Sequence, residues 1–167
     1  MKKGLIALFL AASTAAFSMD AHLRLGAITN ANSYNKEDKS FDSYAPTMSL
    51  ELTQTLLLAD VGVGIAYNGK TTGTEIATVP AYGLVKVNLF PVGVKPYLVG
   101  KVGKVLYTRD SVSHSNPDGD YFYGAGVGMD LFSLQGEILY TVTEIDGDRR
   151  GNDKLEQVSF TLGYNFF

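Results

Sequence analysis

Few side chains in this 167-residue sequence could carry out chemistry, and their spacing limits what that chemistry could be. In TRDSVSHSNPDGDY (108–121), His114 stands among Ser111, Ser113 and Ser115, a set that could supply a base and a hydroxyl nucleophile. A working Ser-His-acid site also needs a fixed third residue and an oxyanion hole, and a Pro-Asp-Gly turn supplies neither. The other histidine, His22, falls near the opposite end of the expected strands. In EIDGDRRGNDKLE (144–156), Asp146, Asp148, Asn152 and Asp153 suggest a calcium loop. However, Arg150 occupies the third ligand position and no Glu falls at position 12 counted from Asp146, so a polar hairpin turn is the simpler reading. There is no cysteine, which removes disulfides, thiolate metal sites and a thiol nucleophile. No G-x-G leads into a helix, so no phosphate cradle is expected. These residues imply no catalytic site, no metal and no cofactor. The chemistry that remains is electrostatic: Arg24, Glu51, Lys86, Lys101 and Glu137 interrupt otherwise apolar stretches at alternate positions.

The elements that would position those five charges are strands. Apolar residues recur with a period of two, not at helical spacing. In HLRLGAIT (22–29), Leu23, Leu25 and Ala27 oppose His22, Arg24 and Gly26. In MSLELTQ (48–54), Met48, Leu50 and Leu52 oppose Ser49, Glu51 and Thr53. The runs DVGVGIAY (60–67), AYGLVKVNL (81–89), KPYLVGKVG (95–103), YFYGAGVGMDL (121–131) and LQGEILYTV (134–142) repeat the scheme, as does a last strand from about Gln157. Eight strands of roughly 9–13 residues match the length of tilted strands that cross a bilayer.

The connections alternate between short and long. Tight turns fall near 57–59, 90–93 and 132–133; long polar segments fall at 33–45, 68–78, 109–120 and 144–156. Short turns at one end and long loops at the other is the asymmetry of a membrane barrel. The aromatics agree: Tyr67, Tyr121 and Tyr123 fall on the apolar face near the long loops, and Phe90 and Phe132 near the short turns, as two interfacial girdles require. Residues 1–18, MKKGLIALFLAASTAAFS, have the charged start, short apolar run and small residues of a secretory signal peptide, leaving 19–167 as one barrel domain. No apolar stretch is long enough for a transmembrane helix. A formal charge of −3 leaves no basic footprint for nucleic acid.

The expected architecture is an all-β, eight-stranded, antiparallel, up-and-down transmembrane barrel. Such a barrel has an interior just wide enough to be filled by side chains. Buried charges must be paired, so Arg24, Glu51, Lys86, Lys101 and Glu137 are expected to form one lumen-plugging salt-bridge cluster. The inward glycines of 60–67 and 121–131 would leave space for Tyr82, Tyr97 and Phe122. Lys104 falls on the lipid side by strict alternation, unless a bulge turns it inward.

The terminal LGYNFF, the Pro-Tyr start of KPYLVGKVG and the Gly-alternating YGAGVGMDL together resemble the small eight-stranded outer-membrane barrels of the OmpA and OmpX kind. The resemblance covers all of 19–167, with no counterpart to the separate peptidoglycan-binding domain that OmpA carries. It implies a monomer in the bacterial outer membrane, in contact with its lipid and lipopolysaccharide. It also implies an assembly signal at Leu162, Gly163, Tyr164, Phe166 and Phe167, read by the barrel-assembly machinery. The long loops carried on such a scaffold point to a structural or adhesin-like surface role, with an extracellular ligand bound through them; some eight-stranded barrels are instead lipid-modifying enzymes. The enzymes carry a His and a Ser two residues apart, whereas around His114 the spacings are one and three. A narrow pore is the remaining alternative.

Overall fold

The structure, a computed structural model, describes residues 19–31, 43–56, 59–71, 77–90, 93–109, 121–145 and 153–166. Eight strands follow one another: β1 (Met19–Asn30), β2 (Tyr44–Leu56), β3 (Ala59–Asn68), β4 (Ala77–Asn88), β5 (Lys95–Arg109), β6 (Tyr121–Leu131), β7 (Leu134–Ile145) and β8 (Asp153–Asn165). Each pairs antiparallel with its sequence neighbours, and β1 also pairs with β8, closing the barrel. Closure removes both free edges, so every ladder group has a partner, which hydrocarbon surroundings demand.

The pleat sorts the sequence into two faces. Along β2, residues 44–53 alternate strictly: Met48, Leu50 and Leu52 are exposed, while Ser49, Glu51 and Thr53 are buried. The apolar set faces outward on the other strands too, with Val63, Val102 and Leu162 among the most exposed, the last at 75%. Inside, Arg24 and Glu51 are 0% exposed. A water-soluble barrel would have these faces reversed, since burial of apolar surface is its driving force.

Two local features depart from strict alternation. Pro80, which lacks a ladder donor, sits inside β4, where the pairing with β5 shifts: Pro80 faces Val105 and Val79 faces Tyr107, leaving Leu106 as an extra residue. The bulge lies beyond Lys104 and does not turn it inward. Lys104 stays on the outer face with its Nζ 5.3 Å from the centre of the Tyr121 ring. Leu106 and Tyr107 both point out, at 64% and 57% exposure. At the two-residue turn between β6 and β7, Phe132 takes φ 55°, a left-handed conformation that an L side chain adopts at a cost of about 1–2 kcal/mol.

The connections differ from the sequence expectation at the long-loop end. Both ends of the expected polar connection over 144–156 are ladder, because Glu144 pairs with Lys154 and Ile145 with Asp153, and Val142 faces Glu156. Once register is set by the apolar pairs below, backbone pairing continues upward through residues whose side chains are polar. β8 therefore begins at Asp153, not near Gln157; β2 begins at Tyr44, β4 at Ala77, and β5 runs to Arg109.

Candidate functional site

The middle of the lumen holds a closed circuit of alternating charge. Arg24 on β1 donates from Nε to Glu51 Oε2 on β2 at 2.9 Å. Lys101 on β5 reaches Glu51 Oε1 at 2.7 Å and Glu137 Oε1 on β7 at 2.8 Å. Arg24 Nη2 lies 3.4 Å from Glu137 Oε2, which completes the ring. Two cations and two carboxylates leave no net formal charge. Because β1 and β5 stand opposite each other in the closed strand order, with β2 and β7 on the two arcs between them, the ring ties opposite walls together.

Three uncharged side chains complete it. Tyr82 donates its hydroxyl to Glu51 Oε1 at 2.9 Å. Tyr97 donates to Glu137 Oε2 at 3.1 Å and accepts from Arg24 Nη2 at 3.3 Å. Gln135 accepts from the same nitrogen at 2.6 Å. These charge-assisted hydrogen bonds return part of the solvation that burial removes.

Glycines make room for the ring. A Cβ at Gly128 would collide with the Tyr97 ring, and one at Gly64 would sit 2.8 Å from Tyr82 Cε2. A Cβ at Gly163 would come within 3.0 Å of Arg24 Cγ, so that glycine of the terminal LGYNFF seats the arginine.

Of the five charges expected to cluster, the structure brings four together. Lys86 is buried, but among the described residues no carboxylate lies within 4.0 Å of it. Its Nζ lies 5.3 Å from the centre of the Tyr97 ring. The physical reason is height: Lys86 pairs with Asp60 and Val99, whereas Lys101 pairs with Leu84, two residues further from the short-turn end of β4.

Apolar side chains pack around the ring. Tyr82, Leu84, Val105 and Phe122 pack as one apolar cluster, with the Tyr82 and Phe122 rings 5.6 Å apart, and Tyr97, Val99 and Leu139 form another. One void among the described residues, bounded by Thr47, Ser49, Thr141 and Ser159 among others, is about 30 Å³, the share of liquid occupied by about one water molecule. Below the ring, a cavity of about 460 Å³ widens toward the short-turn end.

The expected girdle residues Tyr67, Tyr121, Tyr123, Phe90 and Phe132 all point away from the barrel, Phe132 at 96% exposure. Tyr44 and Tyr107 join the tyrosines at the long-loop end, and Tyr164 joins the phenylalanines, its ring 5.1 Å from that of Phe166 in an edge-on contact. Leu162, Tyr164 and Phe166 are exposed on the outer face of the last strand. Phe167, His114, the loop residues Asp146, Asp148 and Asn152, and positions 1–18 lie outside the described residues; Asp153 belongs to β8. His22 contacts Thr53 Oγ1 through Nε2 at 2.7 Å, and Nδ1 has no hydrogen-bond partner, so no third group orients it as a base.

A closed antiparallel barrel with an apolar outer band, aromatic side chains at both ends of that band and a polar interior has the architecture of the small transmembrane β-barrels. Comparison with solved structures gives particular members of that class. The chain is similar to the crystal structure of neisserial surface protein A (TM-score 0.61, 13% identity), with 89% of this chain and 97% of that one covered. It is also similar to Ail, the attachment invasion locus protein of Yersinia pestis (TM-score 0.52, 11% identity), over 89% of this chain and 99% of that one. At such identities the likeness is one of fold. No family model matches the sequence, and no curated protein matches it.

Proposed function

We propose that this outer-membrane barrel serves as a rigid, closed carrier for its extracellular loops, and that its activity is surface interaction rather than transport or catalysis. The observation that supports this reading is the neutral ring of four ion-paired side chains across the lumen, with a void of about 30 Å³ beside it. An ion would have to break several buried, charge-assisted contacts to pass. With no route through the middle, specific function falls to connections held by the scaffold, where binding residues concentrate. The segment SYNKEDKSFDSYA (33–45), charged and carrying Tyr34, Phe41 and Tyr44, has the composition of a partner-anchoring loop. The names of the two structural neighbours, a surface protein and an attachment and invasion protein, fit the same role.

In this reading the chain is a monomer, in contact with outer-membrane lipid and lipopolysaccharide. Lys104 stands at the outer boundary, where a lipid-facing lysine costs about 0–1 kcal/mol. The outward Leu162, Tyr164 and Phe166, with Phe167 behind them, serve as the signal for the barrel-assembly machinery. Gly163 belongs to the same signal and also leaves room for Arg24. The test is replacement of 33–42 and of 110–120 by Gly-Ser segments of equal length in cells that display the protein. Loss of cell adhesion and of serum survival with unchanged surface abundance supports the proposal; unchanged adhesion and survival in both replacements overturns it.

A further inference from the structure

The cavity at the short-turn end is built differently from the ion-paired ring above it. Its wall includes Asp20, His22, Asp60, Asn88, Lys95 and Asp130, around a volume of about 460 Å³. That is within the roughly 300–1,000 Å³ of small-molecule sites. Against the three carboxylates of the wall stands Lys95, so the charge of the lining is negative.

The acceptors outnumber the donors. His22 is 3% exposed and its Nδ1 has no hydrogen-bond partner, while Nε2 is engaged with Thr53. Asn88 spends its amide on Asp60 Oδ2 at 3.1 Å, which leaves its buried Oδ1 without a partner. Asp130 Oδ1 is likewise buried and unpartnered. Thr55 also donates to Asp60, at 2.7 Å, so Asp60 is fixed in place. Buried polar groups in folded proteins are as a rule satisfied. Two acceptors, Asn88 Oδ1 and Asp130 Oδ1, and the His22 Nδ1, whose role its tautomer sets, therefore stand unpartnered around one cavity and ask for a donor-bearing occupant.

That occupant is not a metal ion. Among the described residues no three His, Asp or Glu side chains are grouped closely enough to ligate one. A cation that satisfies separated acceptors must be extended and carry several N–H groups, as an ammonium or guanidinium compound does.

We propose that the vestibule at the short-turn end, lined by Asp20, His22, Asn88 and Asp130, binds a small organic cation with several N–H donors, of the polyamine or guanidine class. The proposal is independent of what the loops do. Spermidine titrated into the full chain in detergent micelles, followed by calorimetry at constant ionic strength, tests it. The wild type and a Glu144→Gln control at the opposite end should bind one equivalent saturably. Asp20→Asn with Asp130→Asn should weaken binding at least tenfold, with heat-modifiable gel migration reporting that the barrel is closed. His22→Phe, which alters no carboxylate, should weaken it about threefold or more, and carries the test alone if the double variant does not close. Absence of saturable binding, equal affinity in the His22→Phe variant, or displacement of spermidine by magnesium as effective as by guanidinium would overturn the proposal.

Discussion

Two lysines in one lumen, Lys101 and Lys86, are treated in opposite ways. Lys101 is clamped between two carboxylates at 2.7 and 2.8 Å and lies 5.1 Å from the centre of the Tyr82 ring. Lys86, on the neighbouring strand, is as deeply buried but meets an aromatic face, with no described carboxylate within 4.0 Å. The contrast shows that the lumen is two compartments. One holds a neutral ring of ion-paired side chains, in which Arg24 Nη1 is buried without a partner, packed against apolar side chains; the other is a roomier cavity whose wall carries Asp20, Asp60, Asp130 and Lys95. Buried charge in the first is structural; in the second it is left available.

The largest expected effect breaks the plug side of the comparison. Lys101→Met leaves Glu51 and Glu137 buried without their shared cation, and removal of one partner of a buried pair typically costs about 3–5 kcal/mol. Urea unfolding in lipid vesicles should show a loss of that size. Next, the outer face should resist charge as firmly as the ring resists its removal: Leu50→Arg, at the centre of β2 and 49% exposed, should cost about 2–4 kcal/mol in the same assay. Gly128→Ala should follow, at about 1–3 kcal/mol, because the new methyl displaces Tyr97 from Arg24 and Glu137. The smallest effect sharpens the contrast itself. Lys86→Met removes a buried charge that no carboxylate clamps, and replacement of buried charge by apolar volume is often close to neutral. Its unfolding free energy should change by about 1 kcal/mol or less, and a loss matching that of Lys101→Met would erase the distinction between the compartments.

Much of this was legible in the sequence, for a definite reason. A period of two reports which face a side chain occupies. In a closed barrel the face alone decides lipid or lumen, so Arg24, Glu51, Lys101 and Glu137 could be placed inside together. What alternation does not report is height and register between strands. Lys86 has the right face but the wrong height, and only the β3–β4–β5 pairing reveals it. The roles of Tyr97 and Gln135 were hidden similarly: both share the inward phase of the charges, but their hydrogen-bond partners lie 73 and 111 residues away in the chain. The inward glycines were the available signal for the tyrosines, since Gly128 and Gly64 sit against their rings. The bulge at Leu106 arises from Pro80 on the partner strand, so β5 read alone gives no sign that Tyr107 changes face. The paired stretch across Glu144 and Lys154 is rich in polar residues and reads as loop, because ladder pairing needs no apolar side chains once register is fixed.

The central claim is that the ring of Arg24, Glu51, Lys101 and Glu137 seals the barrel. Planar-bilayer recording of the reconstituted protein addresses it directly. The wild type should carry no steady current, whereas Arg24→Ala combined with Lys101→Ala should open resolvable conductance steps. A steady wild-type current whose ion preference reverses on Glu51→Lys would contradict it and make the lumen a pore.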